Sequence, residues 1–206
     1  MRIPDVDNYI SVCGLRNYDC RPNGRFTTEM IYIHSKLMIV DDRKLIIGSA
    51  NLNDRSMLGD RDSELAVVVE GEVGEEKCEV IADMRRRLMA EHLGMLSDRA
   101  TISWDPSILY QPTSDAFFHG VWRKTALCNM NIFEEVFNCV PSNSAQQYPK
   151  RPTRLQGKQP KGKRAADLLR RVRGHLCEYP EDYLADEDLT FPLLSVEQFA
   201  SLELWT

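Results

Sequence analysis

The sequence predicts an α/β fold, short strands followed by helices. Three observations point there. Residues 31–70 hold three short apolar stretches separated by polar residues. From residue 75 onward the apolar residues return at helical spacing. The 206 residues, 43% apolar and 28% charged, are enough for one sizeable core or two small ones.

The first predicted strand, 31–40, is apolar except at Tyr32, His34, Ser35 and Lys36, and the second, 45–51, follows four polar residues, Asp41-Asp42-Arg43-Lys44. The third, 64–70, reads E-L-A-V-V-V-E and is stopped by Gly71. A helix over 75–93 repeats Val80, Ile81, Met84, Leu88 and Leu93, with Gly94 as its C-cap. Ser114 caps a further helix carrying Phe117, Phe118, Val121 and Trp122; another runs over 131–139 with Ile132, Phe133, Val136 and Phe137 on one side. Residues 141–162, rich in Pro, Gln, Ser, Lys and Arg, read as an exposed linker. A short basic helix over 165–172 precedes an acidic tail ending in Leu204-Trp205-Thr206, and no internal repeat is visible.

Composition removes several classes. The longest apolar run, 65–69, is far short of the roughly 20 residues of a membrane span. The first residues, M-R-I-P-D, do not resemble a signal peptide. The six cysteines stand far apart with no C-x-x-C pair, so they read as reduced thiols of a cytosolic protein rather than a disulfide frame or zinc site. The net charge of −5 conceals a segregation: residues 141–175 carry +9 and residues 176–206 carry −8. The basic stretch is either a solvated linker or a face for anionic lipid headgroups, where each Lys or Arg adds about 1 kcal/mol.

The first two strands concentrate the chemistry. With 41–44 as the turn, Val40 pairs with Leu45, which sets Lys36 opposite Ser49 and His34 opposite Asn51 on one face. Leu37 and Ile39, with Ile31 and Ile33, are left for the other. An ammonium with hydroxyl and amide donors suits a phosphate oxyanion, and an imidazole serves as nucleophile or general acid on a phosphoester. No tight carboxylate cluster accompanies them, so the expected chemistry is phosphoryl transfer without metal or other cofactor.

His34-x-Lys36-x4-Asp41-x6-Gly48-Ser49-x-Asn51 resembles the HKD motif of the phospholipase D superfamily, a match expected by chance on the order of once in a million chains. Y-I-H-S-K-L-M-I-V-D-D-R-K-L-I-I-G-S-A-N-L-N-D-R-S-M-L-G-D-R-D-S-E-L-A-V-V-V-E is similar to the second HKD region of eukaryotic phosphatidylcholine-hydrolysing phospholipase D. So are Y-I-S-V-C-G-L-R at 9–16, I-F-E-E-V-F-N-C-V-P-S at 132–142, R-G-H-L at 173–176 and the terminal L-E-L-W-T.

The resemblance implies one lobe of the two-lobed phospholipase D fold, an α/β lobe with a mixed β-sheet flanked by helices on both sides: a catalytic lobe at 1–100, its helical extension at 101–140, a basic linker at 141–164, and a basic helix with an acidic tail at 165–206 packing back on the lobe. It also implies a mechanism in which one HKD histidine attacks phosphorus while the other protonates the leaving alcohol and then activates water or a primary alcohol. His34 is then the general acid/base, Lys36, Ser49 and Asn51 bind the phosphate, and Asp41 opens the turn as a structural carboxylate. In the superfamily a carboxylate downstream of one motif can orient the histidine of the other. Glu64 has that position, and it fits a solvated strand end equally well.

The chain has one HKD motif where the fold needs two. His92, His119 and His175 have no lysine two residues on. The expectation is therefore the C-terminal half of a longer enzyme, completed by a lobe with the other motif. Its partners would be a phospholipid at a cytoplasmic membrane surface and, as family regulators, phosphoinositides and small GTPases, with no nucleic acid. Two rivals stand beside it: a homodimer sharing two copies of His34, and a non-catalytic fragment with an exposed apolar patch.

Overall fold

The computed structural model describes residues 6–96, 105–139, 141–147 and 162–190. The terminal L-E-L-W-T with Trp205, the tail beyond 190 and most of the expected linker lie outside the described residues. In chain order the elements are β1 (Cys13–Cys20), β2 (Phe26–Met30), β3 (Lys36–Val40), β4 (Lys44–Gly48), α1 (Asp54–Met57), β5 (Ala66–Glu70), α2 (Glu79–His92), α3 (Asp115–Phe117), α4 (Lys124–Phe137), α5 (Lys163–Leu169) and β6 (Leu176–Glu178). A π-helical segment, Phe118–Arg123, carries α3 into α4. The chain divides into two compact units, one of residues up to Ile33 with Arg86–Glu187, the other built on His34–Arg85.

The α/β class holds. The single mixed sheet of the sequence reading is replaced by two three-stranded antiparallel sheets, ordered β2-β1-β6 and β3-β4-β5. The reason lies in the expected 31–40 strand, which divides at the unit boundary. Ile31 donates its N–H to the Leu15 carbonyl (2.9 Å) beyond β2, whereas β3 begins only at Lys36. Strands β1, β2 and β6 escape the sequence reading because C-G-L-R-N-Y-D-C and F-T-T-E-M alternate poorly. Pro22-Asn23-Gly24 between β1 and β2 is the hairpin signal that finds them.

In the first unit, the α4 residues Ala126, Asn129, Met130, Phe133 and Val136 face inward at i, i+3, i+4, i+7 spacing. Phe133 is fully buried and meets the Tyr18 ring edge-on, with Leu169 and Cys177 in the same cluster. Leu93, Leu109, Phe117, Val121 and Leu176 form a second cluster. Ser114 caps α3 as expected, accepting from the Phe117 N–H (3.3 Å). The helix foreseen at 131–139 is the end of α4, which begins earlier and stops at Asn138 in the left-handed region (φ 52°). Gly94 follows α2 at φ +72° and abuts Gly174 at φ +55°; a Cβ on Gly94 would fall 2.6 Å from the Gly174 nitrogen. Two glycine backbones thus touch where the R-G-H-L segment crosses the end of α2. The six cysteines are free thiols. Burial pushes the Cys177 thiol up to about 12. Among the described residues no helix is long and apolar enough to cross a membrane.

The second unit corrects the hairpin register. Val40 pairs with Lys44, not Leu45, so Lys36 lies opposite Gly48 and not Ser49. The turn is one residue shorter than expected because Asp41 (φ 53°) and Asp42 (φ 55°) both take the left-handed conformation that Asp tolerates. Asp42 secures it. Its carboxylate, 8% exposed, takes two hydrogen bonds from Arg85 (2.6 and 2.8 Å), and its carbonyl accepts from the Cys78 N–H (2.8 Å). The latter contact belongs to the turn before α2, which starts at Glu79 rather than 75. Lys44 thereby joins β4 and pairs with Glu70 (2.9 Å). Since side chains alternate along a strand, a one-residue slip moves the whole set to the other face. Lys36, Met38, Val40, Ile46 and Val68 share one face; Leu37, Ile39, Leu45, Ile47, Val67 and Val69 share the other.

Candidate active site

His34 is exposed and lies two residues before β3, not opposite Asn51 in a ladder. Lys36, the first β3 residue, folds back so that its Nζ donates to the His34 carbonyl (2.7 Å). Gly48 ends β4 beside it, and a Cβ there would fall 2.5 Å from the Leu65 carbonyl oxygen and 2.8 Å from Ala66 Cβ. Glycine is the residue that lets β5 close against β4 at this point. Ser49 follows, past the end of the strand. Its N–H donates to the Leu65 carbonyl (3.0 Å), it accepts from the Leu65 N–H (3.0 Å), and its hydroxyl donates to Glu64 Oε2.

Glu64 is the centre of this cluster. Its carboxyl is held below the usual range, chiefly by the Ser49 hydroxyl, then by the Ser56 hydroxyl, with the Lys36 charge adding to both and nearby Asp62 opposing them. Glu64 is thus bonded to the Ser49 hydroxyl and feels the charge of Lys36, which the ladder sets opposite Gly48. A Glu64 kept ionised is an acceptor for an imidazole N–H.

The other expected residues are placed differently. Asn51 is exposed and enters through its backbone, donating its N–H to Ser56 Oγ (3.0 Å). Asp41 stands at the far end of β3, exposed, about 16 Å from Lys36 at the rise of a strand. Its place is the turn. Ser56, unforeseen in the sequence, sits in α1 with its N–H capped by Asn53 Oδ1 (3.1 Å). The loop around it is braced by Arg55, which donates twice to Asp62 (3.0 and 2.8 Å). The signal for Ser56 was Asn53-x-x-Ser56, an Asx cap at the start of a short helix.

The residues at this hairpin lie inside a known domain. The profile of the family described as Phospholipase D matches residues 19–109. Residues 19–109 thus form a phospholipase D domain, and the chain as a whole is similar to eukaryotic phospholipases D. Phospholipase D1 of Cricetulus griseus is 38% identical to it over 97% of this chain and 20% of that protein. Phospholipase D2 of Bos taurus is 40% identical over 97% and 22% of the two chains. Phospholipase D zeta 1 of Arabidopsis thaliana is 32% identical over 96% and 21%. The chain therefore spans about a fifth of the length of these curated relatives.

Proposed function

We propose that the chain is the lobe bearing the second HKD motif of a eukaryotic-type phospholipase D, hydrolysing phosphatidylcholine to phosphatidic acid and choline once a lobe with the other motif completes the site. The observation that carries this reading is the gathering of Lys36, Ser49 and Glu64 beside His34 at the end of one hairpin, with the spacing of the HKD motif. In the reaction, an imidazole nitrogen of the other lobe's histidine attacks phosphorus. The P–O bond to choline breaks, and His34 gives the departing oxygen its proton. His34, now neutral, takes a proton from water; the resulting hydroxide displaces the phosphohistidine and yields phosphatidic acid. A primary alcohol in place of water gives transphosphatidylation. Lys36 and the Ser49 and Asn51 donors carry the phosphoryl charge, while Glu64 orients an imidazole.

The need for another lobe is supported by the β3-β4-β5 sheet itself. On the face of Lys36, Met38, Ile46 and Val68 stand in register across the three strands and are 56%, 39% and 56% exposed. A row of that kind is apolar surface awaiting cover. The full enzyme would work as a peripheral protein of a cytoplasmic membrane face, under phosphoinositide and small-GTPase control.

The test is choline release from phosphatidylcholine vesicles by the chain alone and with a lobe carrying the other HKD motif. Activity only in the mixture, reduced by about 10²–10⁴-fold in His34→Ala, is the expected result, the range that general acid/base catalysis supplies. Activity of the chain alone as a dimer establishes the two-copy reading instead, and no activity in either preparation overturns both.

A further inference from the structure

We propose that the outward face of α5 is a docking surface for an anionic lipid bilayer, with Lys163 and Arg171 as the residues that meet its headgroups. The choice of a lipid as the anionic partner rests on the phospholipase reading above. The surface itself belongs to the first compact unit, not to the one that carries the His34 hairpin.

Composition leaves the basic stretch open to two readings, but over 163–171 the fold gives it a fixed seat. Ala165 and Leu169 are 2% and 1% exposed, in the cluster around Phe133. The Leu169 carbonyl also accepts from the Tyr18 hydroxyl (2.9 Å). At about 100° per residue, Lys163, Arg164, Asp167, Leu168 and Arg171 then fall within about 140° of arc on the opposite side. These five border an open hollow of about 440 Å³. Two of the four cations at 163–171 are matched: Arg164 donates to Glu135 of α4 (2.6 Å), and Arg170 donates to Asp167. Lys163 and Arg171 are exposed and meet no carboxylate among the described residues. They carry the net charge of the face.

The shape of this face selects the kind of anion. None of the residues around the hollow is buried, so it has no enclosed donors to cradle one small phosphate. It suits a partner that presents many anionic groups over a broad surface. Its lining has no aromatic ring to stack a nucleic-acid base and no Asn or Gln to read one. An ammonium and a guanidinium with Leu168 beside them match headgroup phosphates and carboxylates above an apolar margin. Near an anionic membrane each such cation contributes about 1 kcal/mol, about fivefold in partition. On a helix docked in the core, the backbone that carries them has no freedom left to lose on binding.

The test is the partition of the 206-residue chain onto vesicles of phosphatidylcholine alone and of equimolar phosphatidylcholine and phosphatidylserine, read by co-sedimentation. Binding to the acidic vesicles exceeds binding to the neutral ones and weakens as salt is added. Lys163→Gln with Arg171→Gln lowers partition onto the acidic vesicles about 25-fold, fivefold for each cation. Lys163→Arg with Arg171→Lys keeps both charges and the native binding. Lys77→Gln with Arg87→Gln removes the same charge from exposed positions elsewhere and leaves binding unchanged. Equal partition onto both kinds of vesicle overturns the proposal, as does native binding by the Lys163–Arg171 glutamine pair. An equal loss in the two glutamine pairs also overturns it, since net charge and not this face would then be responsible. If the two-lobe mixture releases no choline while partition behaves as stated, the phospholipase reading fails and the docking face stands.

Discussion

The two sheets are of equal size and the same antiparallel build, but they are secured in different ways. In β2-β1-β6, Leu176 and Cys177 are buried and the sheet is covered by α4 and α5 with Phe133 at the centre. Its polar fixing is neutral. Asn129, 1% exposed, donates to the carbonyls of Arg173 (2.7 Å) and Leu176 (2.8 Å) and accepts from the Arg173 N–H (3.0 Å). In β3-β4-β5, Leu45 is the one strand residue that is buried, and the sheet is fixed at its turn by the Asp42–Arg85 ion pair. The sheet that carries the HKD motif is the less finished of the two. The first sheet completes its own core under helices, whereas the second is held from one end and left open along the rest.

Breaking the ionic fixing has the larger expected effect. Arg85→Met takes both guanidinium hydrogen bonds from the buried Asp42 carboxylate, which costs about 3–5 kcal/mol. Urea unfolding followed by amide exchange checks it, with protection lost in β3, β4 and β5 while β1 and β2 keep theirs. Asp42→Asn retains a residue that accepts the left-handed turn, and in combination with Arg85→Met it recovers part of the loss. Equal loss of protection in both sheets would erase the distinction drawn between them.

The neutral fixing is next. Asn129→Leu keeps the branched shape of the side chain and takes its hydrogen bonds from one N–H and two carbonyls of the 173–176 segment, at about 2 kcal/mol. Asn129→Asp accepts from Arg173 but donates to neither carbonyl, so it is no better at neutral pH. Exchange protection should fall in β6 and at the end of β1 paired with it, and not in β3-β4-β5.

What the sequence made legible follows from how local each determinant is. The motif residues His34, Lys36, Ser49 and Asn51 and the Ser114 cap are fixed-spacing or single-residue signals, and the α/β class follows from periodicities. The register was not legible, since two left-handed aspartates and a guanidinium 43 residues away decide it, and neither is a property of 41–44 alone. Ser56 was hidden for a similar reason: its hydroxyl meets the Asn51 N–H in a loop closed by Arg55 and Asp62, residues the motif leaves unspecified. Strand β6 pairs across more than 150 residues with β1, and a three-residue strand carries no periodicity of its own.

The smallest change in the isolated chain is the one that probes the open face. Met38 sits in the middle of the exposed row with Ile46 and Val68, one pleat from Lys36. Met38→Lys, at a position 56% exposed, shifts unfolding by no more than about 0.5 kcal/mol. If a second lobe covers this face, the same substitution buries an ammonium on assembly, and the concentration of that lobe needed for half-maximal choline release rises at least tenfold. Val73→Lys, fully exposed and outside the strands, is the control and leaves that concentration unchanged. A Met38→Lys chain complemented as readily as the native one would mean that the second lobe meets some other surface. The open row would then lose its place in the comparison, because exposure of the motif-bearing sheet would no longer be a sign of where the enzyme is completed.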